Sequence, residues 1–246
     1  MTIEAEPSTK AAAPKSPKWE LEVKDRLRAA LRSAHKSLPS LIAADAVEGN
    51  TRMFVTEFLC NGLGFDMYED LTAEYQVKGE FADYGIRIDK QLVAFVEVKR
   101  VATKLVVKHL RQVEMYAINE GVEWAILTNG HEWEVYHLAA KPISANPGPL
   151  IEVDLTFSVN LLSDETPAKK IEKLFYVTRE SLKRRQIDEL WRAKRATSPK
   201  SVAQAVQSDA VLDALRRELR KTTGHNANLD ELKAIIRSSV LRSDCL

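Results

Sequence analysis

Asp83, Glu97 and Lys99 fall within one run of twenty residues, FADYGIRIDKQLVAFVEVKR, at positions 81–100. Residues i and i+2 of a strand share a face, so Glu97 and Lys99 point the same way. Asp83 precedes Glu97 by fourteen residues on the neighbouring strand of an expected hairpin, where pairing would set the two carboxylates side by side. Adjacent carboxylates repel unless a cation lies between them. Mg²⁺ suits such a pair: it is a hard ion that takes one or two protein carboxylates and fills its other positions with water and phosphate oxygens. An ion held this way lowers the pKa of a bound water and neutralises phosphate oxygens. Lys99 would add positive charge where negative charge develops. The apolar residues 92–96 before it lower the local dielectric and strengthen these interactions. The plain alternative is an ion pair between Lys99 and Glu97 at a strand end. Such charges are expensive to bury without a ligand or a partner.

Three further residues join this reading. Glu57 lies mid-helix upstream, between Phe54 and Phe58, either as a third acid above the sheet or as a solvated helix residue. Gln112 and Tyr116 stand four apart, one turn along a helix that follows the Glu97–Lys99 strand. Gln donates to phosphate oxygens, and Tyr donates or stacks on a sugar or base; the alternative is a surface Gln and a core Tyr. His35, His109, His131, His137 and His225 show no zinc spacing. Trp124 and Trp133 alternate with apolar residues and read as core rather than as stacking platforms.

The elements that must position these groups follow from periodicity and punctuation. Leu21, Leu27, Ala30, Leu31 and Ala34 make a helical stripe, which Pro39 is expected to break. A second helix starts near Asn50 or Thr51 and ends at Gly62 and Gly64. Strands are expected around Ala73–Gln76, Phe81–Ile88 and Leu92–Val98, the last buried on both faces. A helix over Val106–Asn119 is closed by Gly121. WAILTN and EWEVYHL form a hairpin around Asn129-Gly130. Residues 139–150 read as a loop, and IEVDLTF as one more strand. From Thr166 onward only helical periodicity remains.

The totals are those of a soluble globular protein: 246 residues, 45% hydrophobic and 29% charged. No apolar run reaches the length of a membrane span. The N-terminal 18 residues have no apolar core and read as a disordered arm rather than a secretory signal. Cys60 and Cys245 fit no disulfide or metal pattern, so a reducing, cytoplasmic compartment is expected. Net charge is only +1, but residues 166–246 carry 18 Lys and Arg against 10 Asp and Glu, while the rest carries 18 against 25. A basic tail beside an acidic front suits nucleic-acid contact, or basic helices packed on the acidic part.

In order, Asp83, Glu97-Val98-Lys99, Gln112-xxx-Tyr116 and the downstream LTNG…W-x-VY hairpin resemble the PD-(D/E)XK nuclease superfamily. More narrowly, they resemble the N-terminal nuclease domain of type I restriction enzyme R subunits, over roughly residues 20–140. The resemblance implies a restriction-endonuclease-like α/β fold, a mixed sheet flanked by helices over 19–160; the helical periodicity that follows adds an all-helical extension over 161–246. It implies that Asp83, Glu97, the Val98 carbonyl and, less securely, Glu57 hold Mg²⁺ or Mn²⁺. It implies that Lys99 orients or activates the attacking water, and that Gln112 and Tyr116 support the site and the DNA backbone. The expected activity is metal-dependent hydrolysis of DNA within a restriction-modification setting. Ala82 replaces the superfamily's proline before the aspartate. No G-x-x-x-x-G-K-[ST] run occurs in the chain, so no ATP site is expected, and translocation would come from a separate helicase. Two other readings stand beside this one. One is a non-cleaving module on the same fold that docks DNA or a partner. The other is an assembly protein that pairs through Leu212, Leu215, Leu219, Leu232, Ile235 and Ile236.

Overall fold

A computed structural model describes residues 16–77, 80–140 and 151–242, without the side chains of residues 77, 80, 81, 112, 116 and 118. Most of the N-terminal arm, of the 139–150 loop and Cys245 lie outside the described residues. The chain divides into two compact units, 1–184 and 185–246.

Helix α1, Lys18–Ala43, buries Val23, Leu27, Leu31, Ala34 and Leu38 at spacings of three and four. Leu21, expected in that stripe, is exposed. The expected break at Pro39 does not occur, and the helix runs through it to Ala43. Proline removes the amide that would bond to the His35 carbonyl. Both residues face solvent, where water can satisfy that carbonyl, while the adjacent Leu38 is fully buried and anchors the turn. Helix α2, Glu48–Glu57, continues into a π turn at Phe58–Gly62.

The strands are β1 (Leu71–Val77), β2 (Glu80–Ile88), β3 (Gln91–Val98), β4 (Trp124–Thr128), β5 (Glu132–Ala140) and β6 (Ile151–Asn160). They form one mixed sheet in chain order. Every neighbouring pair is antiparallel except β3 and β4. A parallel pair needs a long crossover. A 3₁₀ turn at Val107–Leu110 and helix α3, Arg111–Glu120, lie along that crossover, and Gly121 caps α3 at φ +68°.

One face of the sheet packs on α3. Phe95, Ala125, Leu127, Tyr136 and Leu138 meet Leu110, Val113 and Ala117 there. Gly85 makes room on this face, since a Cβ would lie 2.7 Å from the Tyr75 ring and 2.9 Å from Leu92. Tyr75 in turn meets Phe95 edge to face at 5.6 Å. The opposite face carries Trp133, whose ring lies 5.1 Å from that of Phe58. The Asn129-Gly130 turn closes the β4–β5 hairpin, with Gly130 at φ +92° against Thr51 and Phe54 of α2. Trp124 and Trp133 are both core residues.

Helices α4 (Pro167–Phe175) and α5 (Arg179–Lys183) belong to the first unit, with α4 packed on α1 and β6. Two ion pairs fasten α5: Arg179 to buried Asp70, and Glu180 to Arg26 at 2.7 Å. The second unit is helical: α6 (Gln186–Ala196), α7 (Pro199–Val206), α8 (Asp209–Thr223) and α9 (Leu229–Ile235). Leu212, Leu232 and Ile236 form its small core with Leu215 and Leu219 packed against it, whereas Ile235 is exposed. Among the described residues no helix is long and apolar enough to cross a membrane.

Candidate active site

The β2–β3 ladder pairs Gly85 with Phe95 and Tyr84 with Val96, and stops there. Carried one step further, the same register sets Asp83 opposite Glu97. The β1–β2 ladder also skips this point: it pairs Ala73 with Tyr84 and Tyr75 with Ala82, but not Glu74 with Asp83. Glu74 has φ +49°, a left-handed conformation rare for a non-glycine residue. Strand β2 is thus released from both neighbours at the position of its acid. The Asp83 carboxylate replaces a ladder bond, with Oδ2 accepting from the Val98 amide at 2.7 Å. On the other side of β3 the ladder persists, as the Lys99 amide donates to the Thr128 carbonyl at 2.8 Å.

Glu97 is buried, with only 6% of its side chain exposed. Its Oε1 accepts from Lys99 Nζ at 2.5 Å. Its Oε2 is buried with no hydrogen-bond partner among the described residues. Burial raises the Glu97 pKa, the charges of Asp83 and Glu48 push the same way, and the Lys99 hydrogen bond opposes them. For Lys99, burial is outweighed by Glu97, Glu48 and Asp83, so its pKa rises.

Helix α2 delivers the remaining charges. The Arg52 Nε lies 3.3 Å from Asp83 Oδ1, and its Nη2 lies 3.6 Å from Glu74 Oε1. The Arg52 guanidinium also stands 6.0 Å from the Tyr84 ring, whose hydroxyl is 2.8 Å from Thr56 Oγ1. Thr51 ties this helix to the end of β3, its Oγ1 accepting from the Val101 amide at 3.1 Å. Glu48, Thr51 and Arg52 share one face by their spacings of three and four. From the far side, the charges of Lys99 and Glu134 act on His109, and burial with Lys99 and Lys108 lowers its pKa.

The structure thus brings together Asp83, Glu97 and Lys99, with the Val98 backbone between them. It does not bring Glu57 to them. Glu57 follows Glu48 by nine residues, which on a helix is about 180° out of phase and about 13.5 Å further along. It lines a groove against α1 with Ala30, Ala34, Phe58 and Gly62. The helical acid that acts on Glu97 is Glu48. Glu48 and Arg52 escaped the sequence reading, although their i, i+4 spacing, with Thr51 between them, was available as a signal. Gln112 and Tyr116 lie one turn apart on α3, and their side chains are outside the described residues.

Among the described residues no group of three or more His, Cys, Asp and Glu side chains is gathered as a metal cage. The donor set is instead two carboxylates, with one buried oxygen, Glu97 Oε2, lacking a donor among the described residues. That set fits a hard divalent ion that keeps most of its waters. It does not fit a closed structural site of four protein ligands.

Residues 47–147 match the model of the type I restriction enzyme R protein N terminus. No curated protein and no solved structure matches the chain. The R protein match covers less than half of the chain, but it encloses Glu48, Arg52, Asp83, Glu97, Lys99, Gln112 and Tyr116. The whole helical second unit lies beyond it.

Proposed function

We propose that this chain is a divalent-metal-dependent deoxyribonuclease, with its reaction centre where β2 and β3 part. The observation that carries the reading is the buried Glu97 Oε2, without a hydrogen-bond partner among the described residues, beside Asp83 and Lys99. Asp83 and Glu97 would hold Mg²⁺ or Mn²⁺, with the Val98 carbonyl as a further donor. The ion would supply an activated water and charge neutralisation at the phosphate. The Val98 amide fixes the orientation of the Asp83 carboxylate before any ligand arrives. Lys99, held protonated by the acids around it, stabilises negative charge on the phosphoryl oxygens. Gln112 and Tyr116, on the helix that follows, would support the DNA backbone. DNA is the substrate partner on this reading, and the R protein match favours further subunits that supply translocation. The second unit has 12 Lys and Arg against 8 Asp and Glu, a balance compatible with phosphate contact.

A second reading has its own observation. Each carboxylate already has a cation, Lys99 on Glu97 and Arg52 on Asp83. That is what a non-cleaving module on the same fold would show. Supercoiled-plasmid cleavage with Mg²⁺ separates the two. The nuclease reading expects nicking by the wild type and none by Glu97→Ala or Lys99→Ala. A folded wild type that binds DNA and leaves it intact would favour the binding module.

A further inference from the structure

Asp83 has two oxygens and two different kinds of partner. Oδ2 is taken by a main-chain amide, a fixed donor that orients the carboxylate whatever else happens. Oδ1 faces a side-chain cation, Arg52, at 3.3 Å. An ion shared with Glu97 that takes Oδ1 meets the oxygen that Arg52 now neutralises.

Arg52 also has somewhere else to rest. Its Nη2 faces Glu74 Oε1 at 3.6 Å, and its guanidinium stands 6.0 Å from the Tyr84 ring. The Glu74 side chain is 68% exposed, on the open side of the kink in β1. The Tyr84 hydroxyl is held by Thr56 at 2.8 Å and donates to the Arg52 carbonyl at 3.3 Å, which fixes the ring beside the guanidinium. Displaced from Asp83, the guanidinium keeps Glu74 as a carboxylate partner. Arg guanidinium matches phosphate oxygens with a two-pronged donor fork.

We infer that Arg52 is an exchangeable counter-ion: it neutralises Asp83 Oδ1 until a divalent cation displaces it, and then serves the scissile DNA phosphate. This inference rests on the metal-dependent nuclease reading. It makes Arg52 a competitor of the metal and a partner of the substrate, so its removal moves the two affinities in opposite directions. A purely structural arginine that holds β2 in place would move both downward.

The test is calorimetric titration of Mn²⁺, without DNA, into the full chain as wild type, Arg52→Gln, Arg52→Lys and Glu97→Gln, each with a thermal melt to confirm folding. A parallel measurement follows binding of a duplex in Ca²⁺, which takes the same oxygen ligands. The expected result is Mn²⁺ bound about tenfold more tightly by Arg52→Gln, and more tightly by a smaller factor in Arg52→Lys, which keeps a charge but loses the fork. Duplex affinity should fall in both variants, and Glu97→Gln should lose Mn²⁺ binding. If Arg52→Gln does not fold, Arg52→Lys decides alone: unchanged or weaker Mn²⁺ binding overturns the exchange. Unchanged or weaker binding in a folded Arg52→Gln overturns it as well, and leaves the metal site standing. Absence of Mn²⁺ binding by the wild type overturns the exchange and the metal-dependent reading together.

Discussion

The middle and the end of strand β3 are built to opposite rules. In the middle, Phe95 is fully buried, pairs with Gly85 across the ladder and meets Tyr75 edge to face. Two residues on, Glu97 occupies the same face and is almost as buried, yet one of its oxygens has no donor among the described residues. The ladder to β2 has ended, and a side-chain carboxylate has taken the place of a strand partner. The middle supplies stability, and the end gives some of it up. The lesson is local: two more residues along the same strand turn a packed core position into a cluster of charges once the neighbouring strand is released. Glu74, in its left-handed conformation, marks the release point.

The comparison is broken most severely at the middle. Phe95→Ala empties the site that Gly85, Tyr75 and α3 enclose, and should cost about 3–5 kcal/mol of unfolding free energy. Chemical denaturation of the purified chain measures it. A loss as small as that of a surface substitution would mean that the strand centre is not the anchor described.

A smaller effect sharpens the end. Glu48 and Glu57 lie on one helix, about half a turn out of phase. Glu48→Gln should lower plasmid cleavage by about 10–100-fold, the range for a residue acting through the groups around a metal. Glu57→Gln should leave it unchanged, because that side chain lines the groove against α1. The reverse order of effects would put the helical acid back at Glu57.

The smallest effect concerns pH. Burial first, then Asp83 and Glu48, hold the Glu97 pKa above the ordinary glutamate value in the folded chain. The folded state then binds the proton more tightly than the unfolded state, so ionised Glu97 costs stability. That cost is absent below the unfolded-state pKa, grows as pH rises, and is complete above the folded-state pKa. Thermal melts of wild type and Glu97→Gln should therefore converge as pH falls from neutral toward the ordinary glutamate range. Divergence in that direction would contradict the burial argument.

Much of this arrangement was legible in the sequence. The Glu-x-Lys spacing, the hairpin to Asp83 and the Asn129-Gly130 turn each carry a local rule of period two or of turn chemistry. Those rules survive folding because strand neighbours in this sheet are also chain neighbours. The failures needed long-range information. Which acid of α2 meets the sheet depends on the phase at which the helix packs, and that phase is set by α1 and the π turn. Pro39 is tolerated because the carbonyl it orphans faces water, which no local signal reveals. Helices α4 and α5 have the same periodicity as those that follow, but only tertiary pairs such as Arg179 with Asp70 assign them to the sheet unit.

The most direct test of the central claim is the melting temperature of the full chain with and without millimolar Mg²⁺, beside Glu97→Gln. A ligand that binds only the folded state raises its stability by mass action. The account predicts that Mg²⁺ raises the melting temperature of the wild type and leaves Glu97→Gln where it was. No shift in the wild type, or an equal shift in both, would contradict the claim that the parted end of β2 and β3 holds a metal.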